Sequence, residues 1–274
     1  MSLGLQKSVV IYGATGRLGG ELLALLQGSE GSRLNLNLAG ALGRGDSLDD
    51  PKVIALLEVA DAVIDVSLPE ATRALMNRLS ELEEPPALIC GVTGLSAKDL
   101  SRLATFATRA PTFYARNFSV GVALLTHLSA LSARVLGDGF DVELFELHHR
   151  QKVDAPSGTA FHLAEAITQT RGGSHSGAPC EHPRDPRLVH MSAGRGGQVI
   201  GDHTVYFLGE AERVELTHRA QSRALFAQGA LRATRWLLER PGERSGHVLG
   251  MSEMISALLD ASSPASGAGP AERG

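Results

Sequence analysis

Apolar and polar positions follow a repeated order over the first 115 residues, in which a short strand-like run precedes an amphipathic run. The strand-like runs are apolar and β-branched or alternate with polar residues, which predicts strands at residues 8–12, 34–40, 62–67, 87–90 and 112–115. Amphipathic helices are predicted after Gly19, from Pro69 and from Ser96. This alternation predicts a parallel sheet covered on both faces, an α/β fold of the Rossmann-like, doubly wound class.

The pattern changes after Ala115. A helix is predicted up to Leu136, and extended runs follow at residues 140–147, 188–192, 203–208 and 213–218, with a helix at 158–170. Residues 171–187 are predicted as a long loop. This half is therefore predicted as an α+β domain with an open, mostly antiparallel or mixed sheet and helices on one face. Helices at 222–239 and 251–259 follow, and a disordered tail is expected over 263–274.

Composition excludes several classes of function. Of the 274 residues, 43% are hydrophobic and 20% are charged, and the net charge is −4, so neither a nucleic-acid binder nor a membrane-surface binder is expected. We expect no membrane span and no signal peptide. Cys90 and Cys180 lack the spacing of metal ligands, so no metal site is expected and the cytoplasm is the expected compartment.

Gly13, Gly16 and Gly19 lie between the first strand and the first helix. Strand, glycine-rich turn and helix is the order of a dinucleotide phosphate loop, where glycines permit a tight turn and a close approach to the pyrophosphate. Thr15 stands where a glycine is commoner in that motif. The alternative is that these glycines only make a tight turn.

The end of the second strand bears on which nicotinamide cofactor would bind. A carboxylate there would hold the ribose 2′-hydroxyl of NADH, but none precedes Asp46, whereas Arg44 could hold the 2′-phosphate of NADPH. The pattern favours NADPH. The alternative is that Arg44 is a solvated loop residue.

Proton-active and cationic groups are concentrated in residues 146–160. His148, His149, Arg150 and Lys152 fall within five positions, and Ser157 is a candidate N-cap for the helix that follows. The first N–H groups of that helix would form an anion site beside the cationic cluster. Such a place suits a small, multiply charged acid that accepts or donates protons.

The chain resembles the dihydrodipicolinate reductase (4-hydroxy-tetrahydrodipicolinate reductase) family of the lysine and diaminopimelate pathway. The resemblance rests on residues 13–19, 64–70, 91–94, 117–121, 146–160 and 201–229, of which 146–160 is the most specific segment. It implies reduction of 4-hydroxy-tetrahydrodipicolinate to tetrahydrodipicolinate by NADPH or NADH. The alternatives are a related reductase of another cyclic imine or keto acid, and a non-catalytic nucleotide-binding sensor.

The resemblance also implies roles for individual residues. The catalytic residues would be His148, a proton donor or acceptor, and Lys152, a proton donor. Substrate would be bound by His149, Ser157, Gly158 and Thr159. The cofactor would be bordered by Gly13, Ala14, Thr15, Gly16, Arg17, Leu18, Gly91, Val92, Thr93, Ala115, Arg116, Asn117 and Phe118. Arg44 is added to this set from its place after the second strand and not from the resemblance.

The resemblance further implies a homotetramer of two-domain chains. The dinucleotide-binding domain would comprise residues 1–117 and 223–262, and the substrate-binding and tetramerisation domain residues 118–222. The chain departs from the family pattern at three places: Gly43-Arg44 replaces an acidic residue followed by Arg, Val92 removes a hydroxyl, and Arg116 adds a charge.

Several cluster residues also have plainer interpretations. Adjacent strand residues point to opposite faces, so His148 and His149 can both serve one site only if their strand ends there. Arg150 is expected to face solvent. Packing within strands or between subunits is the expectation for three other histidines: His190, His203 and His218.

Overall fold

The computed structural model describes residues 6–178, 185–240 and 246–262, which fold around two five-stranded sheets. The first, sheet A, contains β1 (Lys7–Tyr12), β2 (Leu36–Leu42), β3 (Ala62–Asp65), β4 (Ala87–Cys90) and β5 (Thr112–Tyr114). Its strands are all parallel, in the order β2-β1-β3-β4-β5. The predicted Rossmann-like sheet is confirmed, and its ligand crevice is expected at the carboxyl ends of these strands.

Helices cover both faces of sheet A. They are α1 (Arg17–Gln27), α2 (Ser29–Arg33), α3 (Pro51–Val59), α4 (Pro69–Glu81) and α5 (Ala97–Phe106). Alternate residues of β1 enter different cores, since Val9 and Ile11 pack on the side of α1, whereas Val10 packs on the side of α3, α4 and α5. Burial on both faces explains why the strands are almost continuously apolar.

The second strand begins later than predicted, and α2 and α3 were not predicted at all. Leu34 follows α2, and Asn35 has a φ of 51°, so strand pairing begins near Leu36 and continues to Leu42. The alternating leucines were misleading because the first of them ends a short helix. The strand has the predicted length but is shifted by two residues, which places Gly43 and Arg44 directly after its carboxyl end.

Sheet B contains β6 (Asp141–His148), β7 (Ser174–Ser176), β8 (Leu188–Arg195), β9 (Asp202–Leu208) and β10 (Arg213–Arg219). Its order is β10-β9-β6-β8-β7. The β10-β9-β6 half is antiparallel and the β6-β8-β7 half is parallel, so the sheet is mixed. Parallel pairing follows because α7 (Gly158–Arg171) crosses over after β6. β7 lies inside the segment predicted as a loop, and Cys180 and the tail at 263–274 lie outside the described residues.

The remaining helices connect the two sheets. α6 (Val120–Leu136) and α7 pack together and share a core with sheet B, while α8 (Ala224–Leu238) and α9 (Met251–Ser262) return to the core of sheet A. By length and composition, the stretch Val120–Gly139 is apolar enough to cross a membrane, which we did not expect from the sequence. It packs against α7 and β10 and buries Leu125 and Ala133, but 22% of the apolar window is buried, and Leu124, Leu128 and Val135 are exposed.

Candidate active site

The cationic cluster lies where β6 ends. Alternate residues of this strand face the core, so Glu146 and His148 are both buried, and Glu146 is fully inaccessible to solvent. His148 is the last strand residue, and His149 lies beyond it and is partly exposed. Because the strand ends between the two histidines, both remain available to one site.

The Glu146 carboxylate is the centre of a buried network. Its Oε1 accepts hydrogen bonds from Nη2 of Arg195 at 2.9 Å and from the Ser157 N–H at 3.1 Å. Its Oε2 lies 3.6 Å from both Nδ1 of His148 and Nε2 of His203. Burial raises the pKa of Glu146, but the contacts with His203, Ser157 and Arg195 outweigh it and lower that pKa to about 2.

His148 is a neutral imidazole at neutral pH in this arrangement. Burial lowers its pKa to about 4; Glu146 opposes that shift, and the charges of His203, Lys152 and Arg195 reinforce it. The His148 and His203 rings meet edge to face, with 5.1 Å between their centroids. A neutral His148 can accept a proton or orient substrate, but it carries no acidic proton to deliver at pH 7.

Lys152 is held by a neighbouring acid. Its Nζ donates to both carboxylate oxygens of Asp154, at 2.7 and 2.9 Å, and its side chain is partly buried. Arg150 is exposed, as predicted. The ammonium of Lys152 is therefore oriented by a carboxylate that an incoming anionic substrate could replace.

α7 begins as the sequence predicted. The Ser157 hydroxyl accepts from the Ala160 N–H at 3.2 Å, while Ser157 itself is buried, so any part it plays in substrate binding is indirect. A Cβ added at Gly158 would meet no atom of the described residues within 4 Å, so there is room beside the helix start. Asn117, which follows β5, donates from Nδ2 to Oγ1 of Thr159 at 3.3 Å and links the two sheets at this point.

Three site residues were missed or read as packing. Glu146 and Arg195 were given no role, and His203 was assigned to packing. Cross-strand pairing of Glu146 with His203 and of His148 with Arg195 brings them together. This register depends on how β6 pairs with its neighbours and could not be predicted from the sequence of any one strand. Arg223, at the start of α8, was expected to be either an interdomain contact or a simple helix-start charge, and it places Nη2 3.5 Å from Nε2 of His149.

A small cavity of about 50 Å³ lies between the sheet A side of the site, at Asn117, and the sheet B side, at His148 and Thr159. Gly201, His203 and Phe226 also line it. His218 also lines it, and its Nε2 lies 3.4 Å from Oγ of Ser119. His218 therefore borders the junction between the sheets as well as packing in β10.

Glu146, His148 and His203 also have ligand atoms within 4.8 Å of one another, a spacing that a metal ion could use. The guanidinium of Arg195 lies 2.9 Å from the same carboxylate, however, and repels a cation. Because Oε1 of Glu146 already accepts a hydrogen bond from Arg195, the cluster is better explained as a set of polar contacts around the carboxylate than as a metal site.

The glycine loop after β1 combines structural and binding features. Gly13 has a φ of 92°, and a Cβ there would lie 2.7 Å from the Ser67 nitrogen; a Cβ on Gly19 would lie 2.3 Å from the Gly13 oxygen. These two glycines are therefore required for packing. Gly16 is the N-cap of α1 and provides no side-chain cap, which leaves room for a phosphate at the helix start.

The other expected cofactor positions follow the carboxyl ends of β1, β2, β4 and β5. Four expected residues are exposed along this edge: Thr15, Arg44, Thr93 and Arg116. Four others are buried, so they could approach a cofactor through their backbone: Ala14, Val92, Ala115 and Phe118. Arg17 is exposed, Leu18, Gly91 and Asn117 are partly exposed, and the whole set lies along the sheet A crevice.

Comparisons with known proteins cover both sheets. The family models "Dihydrodipicolinate reductase, N-terminus" and "Dihydrodipicolinate reductase, C-terminus" match residues 7–118 and 121–255. A 4-hydroxy-tetrahydrodipicolinate reductase of Thiobacillus denitrificans is 41% identical over 257 residues, covering 85% of this chain and 94% of the relative. That of Halorhodospira halophila is 40% identical over 247 residues, covering 86% of each.

Among solved structures, the dipicolinate-bound dihydrodipicolinate reductase from Paenisporosarcina sp. TG-14 is similar, with a TM-score of 0.73 and 23% identity. The match covers 91% of this chain and 100% of that one. At this level of identity the likeness concerns the fold, and it extends over both sheets.

Proposed function

The chain belongs to the dihydrodipicolinate reductase family, and we propose that it carries out the family's reaction where sheets A and B meet. It is a nicotinamide-dependent oxidoreductase that reduces 4-hydroxy-tetrahydrodipicolinate to tetrahydrodipicolinate in lysine and diaminopimelate biosynthesis. The proposal rests above all on the contact of Asn117 with Thr159, because it joins the carboxyl edge of sheet A to the start of α7.

Substrate binding is assigned to the two ends of the cluster. One carboxylate of the dicarboxylate fits at Gly158 and Thr159, where there is room beside the helix start, which favours an anion. The other fits beside His149 and Arg223, whose side chains approach within 3.5 Å. Two separate anion-binding places, a helix start and an arginine beside a histidine, match the two negative charges of the substrate.

Proton transfer is assigned to Lys152, with His148 in a supporting role. Loss of the 4-hydroxyl as water gives the conjugated ring; a bound nicotinamide would supply a hydride from its C4 to that ring, and the reduced ring must then gain a proton. Lys152 is the acid, once the substrate replaces Asp154 beside its ammonium. His148 is neutral at pH 7, so it orients the ring or accepts a hydrogen bond.

The cofactor is assigned to the crevice of sheet A. The start of α1 at Gly16 suits the pyrophosphate, and Gly13 allows the backbone turn that brings it close. Arg44, exposed directly after β2, is proposed to hold the 2′-phosphate, which gives NADPH an advantage over NADH. Asp46 accepts from the Gly43 N–H at 2.7 Å and shapes this loop.

We further propose that the chain divides into residues 1–117 with 223–262 and residues 118–222, and that it works in the cytoplasm as a homotetramer. α8 packs on α1, which supports the return of the chain to the first domain. In sheet B, Phe145 is 43% exposed on the face opposite α7, which suits a subunit contact. Sedimentation equilibrium would test this with the mass of four 28.9 kDa chains.

A coupled assay tests the proposed activity. The substrate is generated in situ from pyruvate and aspartate semialdehyde by the condensing enzyme, and the loss of NADPH absorbance is followed. We expect loss that requires both precursors. Turnover with a different cyclic imine or keto acid alone would indicate a related reductase, and cofactor binding without any turnover would indicate a sensor.

A further inference from the structure

We propose that Glu146 is the positioning residue of the substrate site and that it acts together with Arg195 and His203. This inference rests on the proposed function. None of the three was among the residues to which we assigned a role in binding or catalysis from the sequence. Glu146 nevertheless contacts the helix start that receives one substrate carboxylate, the arginine that holds the lysine loop, and both buried imidazoles.

The first step concerns the anion site. Oε1 of Glu146 accepts the Ser157 N–H at 3.1 Å, while the Ser157 hydroxyl caps α7 at Ala160. These two hydrogen bonds therefore fix the position of Ser157. As a result, the position of Gly158 and Thr159 depends on β6, the strand that carries Glu146. Because an anion at a helix start needs its N–H groups in fixed positions, this tie affects substrate affinity directly.

The second step concerns the loop that carries Lys152. Nη2 of Arg195 donates both to Oε1 of Glu146 at 2.9 Å and to the Asp154 carbonyl at 2.5 Å. Asp154 is the residue that holds the Lys152 ammonium. Through Arg195, the buried carboxylate of Glu146 thus fixes the end of the loop that carries Lys152, the proposed acid.

The third step concerns His148. Its Nδ1 is the ring atom that faces Glu146, at 3.6 Å from Oε2, and neither atom has a closer partner among the described residues. At this distance the contact is electrostatic, and a negative Oε2 favours the tautomer with the hydrogen on Nδ1, which leaves the lone pair on Nε2. Nε2 points towards Gly201, where an added Cβ would lie 2.9 Å away, at the edge of the cavity shared with Asn117 and Thr159.

A purely stabilising role explains this arrangement less well. A fully buried carboxylate costs desolvation, and a buried ion pair is often no more stabilising than apolar side chains of the same size. His203 would be an unusual choice for packing alone, since its Nε2 faces Oε2 of Glu146 at 3.6 Å and Oγ of Ser157 at 3.4 Å. Orientation of several site groups at once accounts for the whole set of contacts.

The test compares Glu146→Gln with Glu165→Gln, an equal change of charge at an exposed position of α7. Glutamine keeps an oxygen for Ser157 and Arg195, but its NH₂ group would face His148 Nδ1 and, being a donor, would repel a hydrogen on that nitrogen. We expect kcat to fall by about tenfold or more, and the dissociation constant for dipicolinate to rise about threefold or more. The dissociation constant for NADPH should stay near that of the control. Because the change leaves Arg195 without its charged partner, both variants are compared at a temperature at which each is fully folded.

The readouts separate positioning from stability. The ¹⁵N shifts of the His148 ring should report a change of tautomer in Glu146→Gln, which a merely structural role would not produce. Values of kcat and dipicolinate affinity within twofold of the control would overturn the inference. Losses that only follow the folded fraction would overturn it as well.

A second variant covers the case in which Glu146→Gln does not fold. Arg195→Lys keeps the positive charge but not the fork that reaches Glu146 and Asp154 together, so we expect the KM for substrate to rise about threefold or more. An unchanged KM would overturn the inference. An inactive wild-type chain would overturn the proposed function itself, whereas an active wild type with unaffected variants would overturn the inference alone.

Discussion

Lys152 differs from the other cations of the cluster because its ammonium is already paired, with Asp154, in a partly buried place. Arg150, two residues earlier, is exposed. Lys152 is therefore proposed as a group that binds substrate, whereas Arg150 only adds positive charge. At the scale of single residues, the cations of this segment therefore differ in whether a partner fixes their position, as Asp154 fixes Lys152, or whether they remain free in water, as Arg150 does.

Lys152→Ala is expected to lower kcat by about 10²- to 10⁴-fold, the usual contribution of a positioned acid. NADPH binding should persist, because the cofactor crevice lies in sheet A. Arg150→Ala serves as the control and should remain close to wild type. Steady-state kinetics and NADPH titration measure both, and near-normal turnover of Lys152→Ala would remove it from the mechanism.

Arg44→Ala is expected to lower the preference for NADPH over NADH by about tenfold, the loss of one exposed phosphate contact. The ratio of kcat/KM for the two cofactors measures the effect. Arg17→Ala provides a comparison at another exposed residue of the crevice. If the wild type used NADH equally well or better and Arg44→Ala left the ratio unchanged, the assignment of Arg44 would be refuted.

Much of the cluster could be predicted at the residue scale because His148, Lys152 and Ser157 lie within one short segment. Their positions depend mainly on where β6 ends and α7 begins, and the cap at Ser157 is a local signal. Glu146 was overlooked although it belongs to the same segment. Its partners, Arg195 and His203, come from other strands, so its role depends on sheet register.

At the scale of elements, helices and strands were predicted correctly where burial or capping depends on neighbouring residues, and incorrectly where it depends on the surrounding structure. The capping box of Ser96 and Asp99 was read correctly because both partners lie within one turn. The start of β2 was misplaced because Leu34 belongs to the end of α2, a five-residue helix with too few positions to show a period. Half of sheet B is parallel because of the crossover through α7, which apolar runs alone do not reveal.

The packing of α8 against the chain between β5 and α6 gives an element-scale prediction. A Cβ on Gly229 would lie 1.8 Å from the Phe118 carbonyl oxygen, whereas one on Gly20 of α1 would meet nothing within 4 Å. Gly229→Ala should lower the free energy of unfolding by about 1–3 kcal/mol. Gly20→Ala should raise it by about 0.5–1 kcal/mol. Urea denaturation of the two variants checks both signs, and a Gly229→Ala chain as stable as wild type would contradict this packing.

At the scale of the whole molecule, the buried cluster links stability to pH. The folded chain holds the pKa of His148 at about 4, below its ordinary value of about 6.5. As pH falls from about 6.5 to about 4, the unfolded chain gains a proton at this position that the folded chain does not, so stability is lost over that range. Glu146, with its pKa lowered to about 2, adds a further loss below its ordinary pKa of about 4.5.

We therefore expect the free energy of unfolding to fall between pH 7 and pH 4.5 by about 1–2 kcal/mol more in wild type than in His148→Gln, after allowing for solvent screening. Urea denaturation at the two pH values measures the difference. His162→Gln changes an exposed histidine and is the control. Identical pH dependence in wild type and His148→Gln would show that His148 titrates normally in the folded chain.

The central claim is that the cluster at the end of β6 and the crevice of sheet A form one site in which hydride passes directly from nicotinamide to substrate. Reduction with NADPH carrying two deuterium atoms at C4, followed by mass spectrometry of the product, tests this most directly. We predict one deuterium on a ring carbon of tetrahydrodipicolinate from the wild type, at a rate that Lys152→Ala greatly reduces. Product without deuterium, or NADPH oxidation without product, would contradict the claim.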